Sequence, residues 1–342
     1  MPWPTSTDYF EAVQVPASFS DPELKGGQVA ANAIGLPRAC TGNFADVYQI
    51  VCPNQQAWAI KCFTREISGL QERYQLLSDH LQKVRFPFTV DFHYQPQGTR
   101  VRGQWYPMLK MRWVEGFTLN SFLRNQLDNP NRLRALMQMW IKLVKNLRAA
   151  GIAHGDLQHG NVLLVPNADG TSVRLTLIDY DGMIVPALAK KPSGEVGHPS
   201  YQHPERLAEG LHNPEGDEDV GRRPYRPLQV DRFSHLVIFS AMQCLMVGGR
   251  SLWDRYDNGD NLLFCKEDFA DPGASPLFRE LWQLPTPFAH SLVGNLILAC
   301  KEPMAQVPTV DALFSDENTV PARNFAIAAQ LRACAICDFP GQ

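Results

Sequence analysis

His154-Gly155-Asp156-Leu157-Gln158-His159-Gly160-Asn161 sets a carboxylate and an amide at i, i+5 spacing inside a polar loop, and apolar runs flank that loop on both sides. Upstream, Leu133, Leu136, Met137, Trp140, Val144 and Leu147 recur at helical spacing and stop at Gly151, a residue type suited to closing a helix. Downstream, residues 162–165 (Val, Leu, Leu, Val) read as a buried strand. The local plan is helix, loop, strand. An acid and an amide on such a loop suit phosphoryl transfer, which asks little covalent chemistry of a protein. It needs a carboxylate to orient and receive the nucleophile's proton, and oxygen ligands to hold Mg²⁺ on the phosphates.

Around this loop the chain has 342 residues, enough to bury a large core and to form a two-lobed domain of about 250–300 residues with extensions. A net charge of −3 with 20% charged residues supplies neither a basic field for nucleic acid nor a polybasic membrane patch. No stretch is read as approaching the roughly 18 uncharged apolar residues of a spanning helix, and Met1-Pro2-Trp3-Pro4-Thr5 lacks the character of a signal peptide. A soluble, cytoplasmic protein is expected, with no nucleic-acid or membrane partner. The eight cysteines are scattered, so most are expected as reduced, buried thiols.

Residues 1–37 are rich in Pro, Ser, Asp and Gly and are expected to form an extended arm packed on another part of the protein. From residue 38 the pattern changes. Residues 47–51 and 58–63 are short β-rich runs separated by Pro53-Asn54-Gln55-Gln56, a hairpin. Residues 65–84 read as a helix with Leu70, Tyr74, Leu77 and Leu81 on one face, and 88–94 and 105–111 read as strands. Beyond residue 115 the chain turns helical, and 233–246 is apolar on all sides, the pattern of a buried helix. The polar stretch 209–227 reads as an inserted surface loop.

With this layout the chain resembles the protein-kinase-like superfamily, from about residue 38 to about residue 314, and most closely an atypical, bacterial-type Ser/Thr protein kinase. Gly42-Asn43-Phe44-Ala45-Asp46-Val47-Tyr48 is similar to the second half of the glycine-rich loop that closes over ATP, with Cys40 and Ala45 at two of its glycine positions. Ala59-Ile60-Lys61 resembles the strand whose lysine reaches the phosphates. Its helix partner is assigned to Glu72, with Glu66 and Asp79 as alternatives. The resemblance makes Asp156 the catalytic base, Asn161 a Mg²⁺ ligand and His154 a residue that holds the loop. Gly155 stands where the family commonly has the arginine that senses a phosphorylated loop, and Gln158 where it has a lysine, a missing cation that His159 or Lys61 would replace. Leu175-Thr176-Leu177-Ile178-Asp179-Tyr180-Asp181-Gly182 looks like the strand ending in the metal-binding Asp-Phe-Gly motif, with Asp179 as Mg²⁺ ligand, Tyr180 as the aromatic plug and Asp181 at the usual glycine.

Gly197-His198-Pro199-Ser200-Tyr201-Gln202-His203-Pro204-Glu205 resembles the Gly-Thr-Pro-x-Tyr-x-Ala-Pro-Glu ledge of protein kinases, and Asp231 the aspartate that braces the catalytic-loop backbone. The hinge would be residues 111–116, with Trp113 and Val114 beside the adenine and Glu115 near the ribose. Ser193 is the candidate phosphosite of the intervening segment.

The resemblance implies an α+β, bilobal kinase-like fold: an N-terminal extension (1–37), an antiparallel sheet lobe with one main helix (38–114), a mostly helical lobe (115–315) and a tail (316–342). The tail holds Cys334 and Cys337 at zinc-ligand spacing, two of the four ligands a zinc ribbon needs. The implied activity is ATP- and Mg²⁺-dependent transfer to a protein hydroxyl. A small-molecule phosphotransferase is the second reading, favoured by His154-Gly155-Asp156-Leu157, and a nucleotide-binding scaffold the third, suggested by Cys40, Ala45 and Gln158.

Overall fold

The computed structural model describes residues 2–42, 44–189, 191, 196–211 and 227–314. It is α+β, with antiparallel sheets and helices in two compact units that divide at Glu115 and Gly116. The first unit runs α1 (Ser6–Ala12), α2 (Pro22–Lys25), β1 (Gln28–Val29), β2 (Ala39–Thr41), β3 (Ala45–Val51), β4 (Ala57–Phe63), α3 (Leu70–Val84), β5 (Phe92–Val101) and β6 (Gln104–Arg112). The second runs β7 (Phe117–Thr118), α4 (Leu119–Gln126), α5 (Pro130–Ala150), β8 (Val162–Pro166), β9 (Val173–Leu177), α6 (Pro204–Leu211), α7 (Pro227–Val230), α8 (Arg232–Tyr256), α9 (Lys266–Ala270), α10 (Pro276–Leu281) and α11 (Pro287–Lys301).

In the first unit six strands form one antiparallel sheet in the order β1-β3-β4-β6-β5, with β2 sharing the outer edge of β3. The expected hairpin is β3–β4, and alternation sends Tyr48, Ile50, Ile60 and Cys62 to a single buried cluster. The N-terminal segment packs on the sheet as expected, but residues 2–37 are not simply extended. They fold into α1, α2 and β1 and supply Tyr9, Phe19 and Leu24, each 1% exposed or less, to that same cluster. Thr5 and Asp8 start α1 with a capping box, and the Asp21 side chain caps α2 by accepting from Glu23 N (2.9 Å).

A buried cation fastens this segment. Lys110 on β6 is 5% exposed, donates to Asp21 (2.8 Å) and Glu23 (2.7 Å), and lies 4.2 Å from the centroid of the Trp58 ring. Burial pushes Asp21 up, but hydrogen bonds from Lys110 and Gln95 and the lysine charge together hold its carboxyl below the usual range. A depressed folded pKa means the clasp contributes in full above the unfolded value near 4 and is lost as pH falls through the lower folded value. Lys110→Met is therefore expected to cost about 2–4 kcal/mol at pH 7, since it strands two partly buried carboxylates. Urea midpoints of wild type and variant should converge as the pH is taken below about 4; a constant gap would overturn this account.

Strand β5 begins at Phe92 rather than 88 and runs on to Val101, through residues the sequence reading left out. Pro96 and Gly98 hid it. The register slips between Gln95 and Thr99, and a Cβ at Gly98 would collide with the Met108 side chain of β6. Arg102 (φ 49°) and Gly103 (φ 84°) make the two-residue turn into β6. Helix α3 buries the expected face, Leu70, Tyr74, Leu77 and Leu81, but starts at Leu70 instead of 65, behind Gly69 at φ 71°.

The second unit is mostly helical, with a three-stranded sheet in the order β7-β8-β9. Helix α8 contains the expected buried run and packs with α5 and α11, bending at Gly249. It corrects the expectation that no stretch approaches a membrane span. By length and composition α8 qualifies, with a mean hydropathy of 1.3 over an 18-residue window, although 67% of that window is buried inside the protein, as a core helix requires. Of the stretch 209–227 expected as a loop, 209–211 end α6 and 227 opens α7; residues 212–226 lie outside the described residues.

Candidate active site

Helix α5 closes at Gly151 (φ 67°), whose N–H returns to Arg148 O and Leu147 O, and the chain enters the loop through a two-bond bridge between Ala153 and Ile184 (2.9 and 2.8 Å). His154 is fully buried and its Nε2 meets Ile178 O at 2.9 Å, so it holds the loop as expected. Gly155 has φ 80°, and a Cβ there would land on Gly182 O. This position therefore admits no arginine, a requirement of packing beyond the loss of a phosphate sensor. Asp231, 4% exposed at the head of α8, accepts from the backbone N–H of His154 and from that of Gly155 (2.9 Å). The expected bracing is present.

Past that anchor the loop turns Asp156 toward Asn161. The Asn161 amide Nδ2 donates to Asp156 O (2.8 Å) and to Asp156 Oδ2 (3.0 Å), while Asp156 Oδ1 accepts from His198 N at 2.7 Å. Both carboxylate oxygens are thus oriented by a donor. Asn161 Nδ2 is thus committed to Asp156. The β8–β9 ladder pairs Val162 with Leu177, and Ile178 N donates to Asn161 O (3.0 Å), which sets Ile178 opposite Asn161 and Asp179 one residue further along the chain. Asp179 holds φ 61°, a left-handed conformation uncommon outside glycine that Asp adopts more readily than most residues. Tyr180 is fully buried, with its hydroxyl on Leu177 O (2.8 Å), as an aromatic plug would be.

Gln158 has a local use: its Oε1 accepts from Gly160 N (3.1 Å) and caps the turn that carries Asn161. His159 cannot supply the cation that a lysine at 158 would have provided. It is 7% exposed, and burial, reinforced by nearby His198, pushes its imidazole down to about 4, so it is neutral at physiological pH. Its Nδ1 is hydrogen-bonded to the Tyr201 hydroxyl instead.

The segment from Gly197 to Glu205 packs directly on this loop. A Cβ on Gly197 (φ 83°) would lie 2.9 Å from Gly155 O and 3.0 Å from Asp156 Oδ1, an approach open only to glycine. Tyr201 is fully buried and its carbonyl accepts from Ser234 Oγ of α8 (2.7 Å). Glu205 accepts from Met304 N (2.8 Å), and His203 Nε2 meets Ala299 O at 2.8 Å. Nothing in the sequence pattern had marked His198 N or Asp260 as neighbours of Asp156; the second emerges through the His198 Nε2–Asp260 Oδ1 contact at 3.0 Å.

In the first unit the β3–β4 register sets Val47 opposite Lys61, and Gly42 N closes on Ala45 O (2.9 Å) at the β2–β3 turn. Lys61 is 8% exposed, with its ammonium 5.9 Å from the Phe44 ring centroid, and Arg65 lies over the same ring at 5.0 Å. Glu72 is exposed in the first turn of α3, Asp79 is exposed further along it and accepts from Gln75 (2.8 Å), and Glu66 precedes the helix. Arg112 N and Trp113 N are spent within the sheet, on Asp91 O (2.8 Å) and Ala57 O (3.0 Å). Glu115 Oε1 accepts from the Trp113 indole at 2.6 Å.

The oxygens that could hold a cation on this loop are those of Asn161 and Asp179, and among the described residues no three His, Cys, Asp or Glu side chains gather as a metal cage. Mg²⁺ on a nucleotide takes one or two protein oxygens and completes its octahedron with phosphate oxygens and water, a demand that two such residues would meet. Asn43, Ser193, Cys334 and Cys337 lie outside the described residues. A scan against protein-family models finds none that matches the chain, and no curated protein matches it either.

Proposed function

We propose that this chain is an ATP- and Mg²⁺-dependent protein kinase of bilobal fold that transfers a phosphoryl group to a serine or threonine hydroxyl of a cytoplasmic protein. The observation that supports it most is Asp156, a carboxylate oriented from both sides by Asn161 Nδ2 and His198 N on a loop braced by Asp231. In this reading Asp156 orients the acceptor hydroxyl and takes its proton, while Asn161 Oδ1 and Asp179 hold the cation. Lys61 reaches the phosphates, Gly42, Phe44 and Val47 line the nucleotide, Glu72 steadies the lysine, and Trp113 and Val114 border the base. ATP with Mg²⁺ supplies the transferable phosphoryl group and neutralises the charge on it. The ledge ending at Glu205, seated on the loop through Gly197, favours a protein acceptor over a metabolite.

Incubation with radiolabelled ATP and Mg²⁺ should label the protein itself or a generic protein substrate. Asp179→Asn should lower the label by about a hundredfold or more with the fold intact. Thermal stabilisation by ATP without transfer would replace this reading by a nucleotide-binding scaffold; label confined to metabolites of an extract would make the chain a small-molecule phosphotransferase.

A further inference from the structure

We infer, on the reading that Asp156 is the base of a phosphoryl transfer, that His198 and Asp260 form a positioning clamp for it. The backbone N–H of His198 holds one oxygen of Asp156, and the imidazole, tied to Asp260, fixes where that N–H stands. The ring's protonation pattern follows from its partners. His198 Nδ1 accepts from Ser200 N (3.2 Å), and a backbone N–H can only donate, so the ring proton sits on Nε2 and is donated to Asp260 Oδ1 (3.0 Å). Each end of the imidazole is thereby committed, which leaves the residue little freedom to rotate its peptide away from Asp156.

The far end of the clamp is rigid. Asp260 lies in a short loop closed by Gly259 N on Asp257 Oδ1 (3.0 Å), Asp260 N on Asn258 Oδ1 (2.9 Å) and Asn258 N on Asn261 Oδ1 (3.2 Å). Asn261 is fully buried and ties that loop to Tyr256 O (3.1 Å) and Leu263 O (3.0 Å) at the end of α8. The same helix carries at its head Asp231, which braces the loop before Asp156. Both ends of α8 therefore act on one carboxylate, by separate routes. Among the described residues the Asp260 side chain is hydrogen-bonded to the loop's surroundings through His198, and it is 79% exposed, so its loss removes a constraint without opening the core.

The test uses the full chain with Asp260→Ala and Asp260→Asn. Asp260→Ala should lower kcat about fivefold, the worth of one hydrogen bond, and leave the KM for ATP and the melting temperature unchanged. Asp260→Asn should recover wild-type kcat to within about twofold, because its Oδ1 still accepts from the imidazole N–H. Hydrogen exchange over residues 196–201, read without any turnover, should be at least about fivefold faster in Asp260→Ala alone. Equal kcat in wild type and Asp260→Ala, unchanged exchange, or a loss that Asp260→Asn fails to rescue would each overturn the clamp. A wild type that transfers no phosphate yet shows the exchange difference would sink the kinase reading and leave the clamp standing.

Discussion

Gly155→Ala is expected to destabilise the protein by roughly 3–5 kcal/mol and to remove any activity that depends on the loop. Two costs add. An L side chain at φ 80° pays about 1–2 kcal/mol for the left-handed region, and its Cβ would land on Gly182 O, a backbone atom. That atom cannot retreat cheaply, because Gly182 lies two residues before Ile184, whose N–H and carbonyl are both bonded to Ala153. Gly35→Ala is the matched control: Gly35 has φ 82°, and nothing lies within 4 Å of the site of its Cβ. Urea denaturation should give about 1 kcal/mol for the control and several times that for Gly155→Ala; equal values would show that the close approach to Gly182 carries no energy. The arginine common at this position in kinases would meet the same obstacle with a larger side chain, so substituting it here should damage the loop.

The next largest effect is expected at Asp231. Its two oxygens accept from His154 N and Gly155 N, both on buried residues or buried backbone, and Asp231→Ala would leave both donors without an acceptor. Each stranded donor costs about 1–3 kcal/mol, so a total of roughly 3–5 kcal/mol is expected, together with loss of transfer as Asp156 loses its footing. Asp231→Asn keeps one acceptor oxygen and should lie between, with about half the loss. Chemical denaturation and the labelling assay on the same preparations check both numbers. An Asp231→Ala protein as stable as wild type would mean that the loop is held from elsewhere.

The parts of this structure that local pattern encodes were legible from the sequence. Helix α5 with its Gly151 stop, strand β8, the hairpin β3–β4 and the buried face of α3 each repeat an apolar period over enough residues to be read. Asp231 was legible as a brace only through the resemblance of residues 230–234 to the start of a kinase's buried helix. What escaped depends on partners distant in the chain. Phe19 and Leu24 stand singly among Pro, Ser, Asp, Glu and Lys, Tyr9 lies in a short run that the flanking breakers obscure, and only the sheet they cover reveals them as core. The charge of His159 is set by burial against Tyr201, which no local spacing reports. His198 reaches Asp156 with a backbone N–H across 42 residues, a contact that leaves no side-chain signature.

The clasp on Lys110 also sets an order of assembly. Lys110 lies 89 residues from Asp21, and Ser20 N bonds Gly98 O (3.0 Å) in the same region. A growing chain lengthens at about 5–20 residues per second, so α2 waits several seconds for the strand that carries Lys110. Contacts of such long range are slow to close and reward the chain late. The N-terminal segment is thus among the first parts of the protein to be made and among the last of its sheet unit to fold.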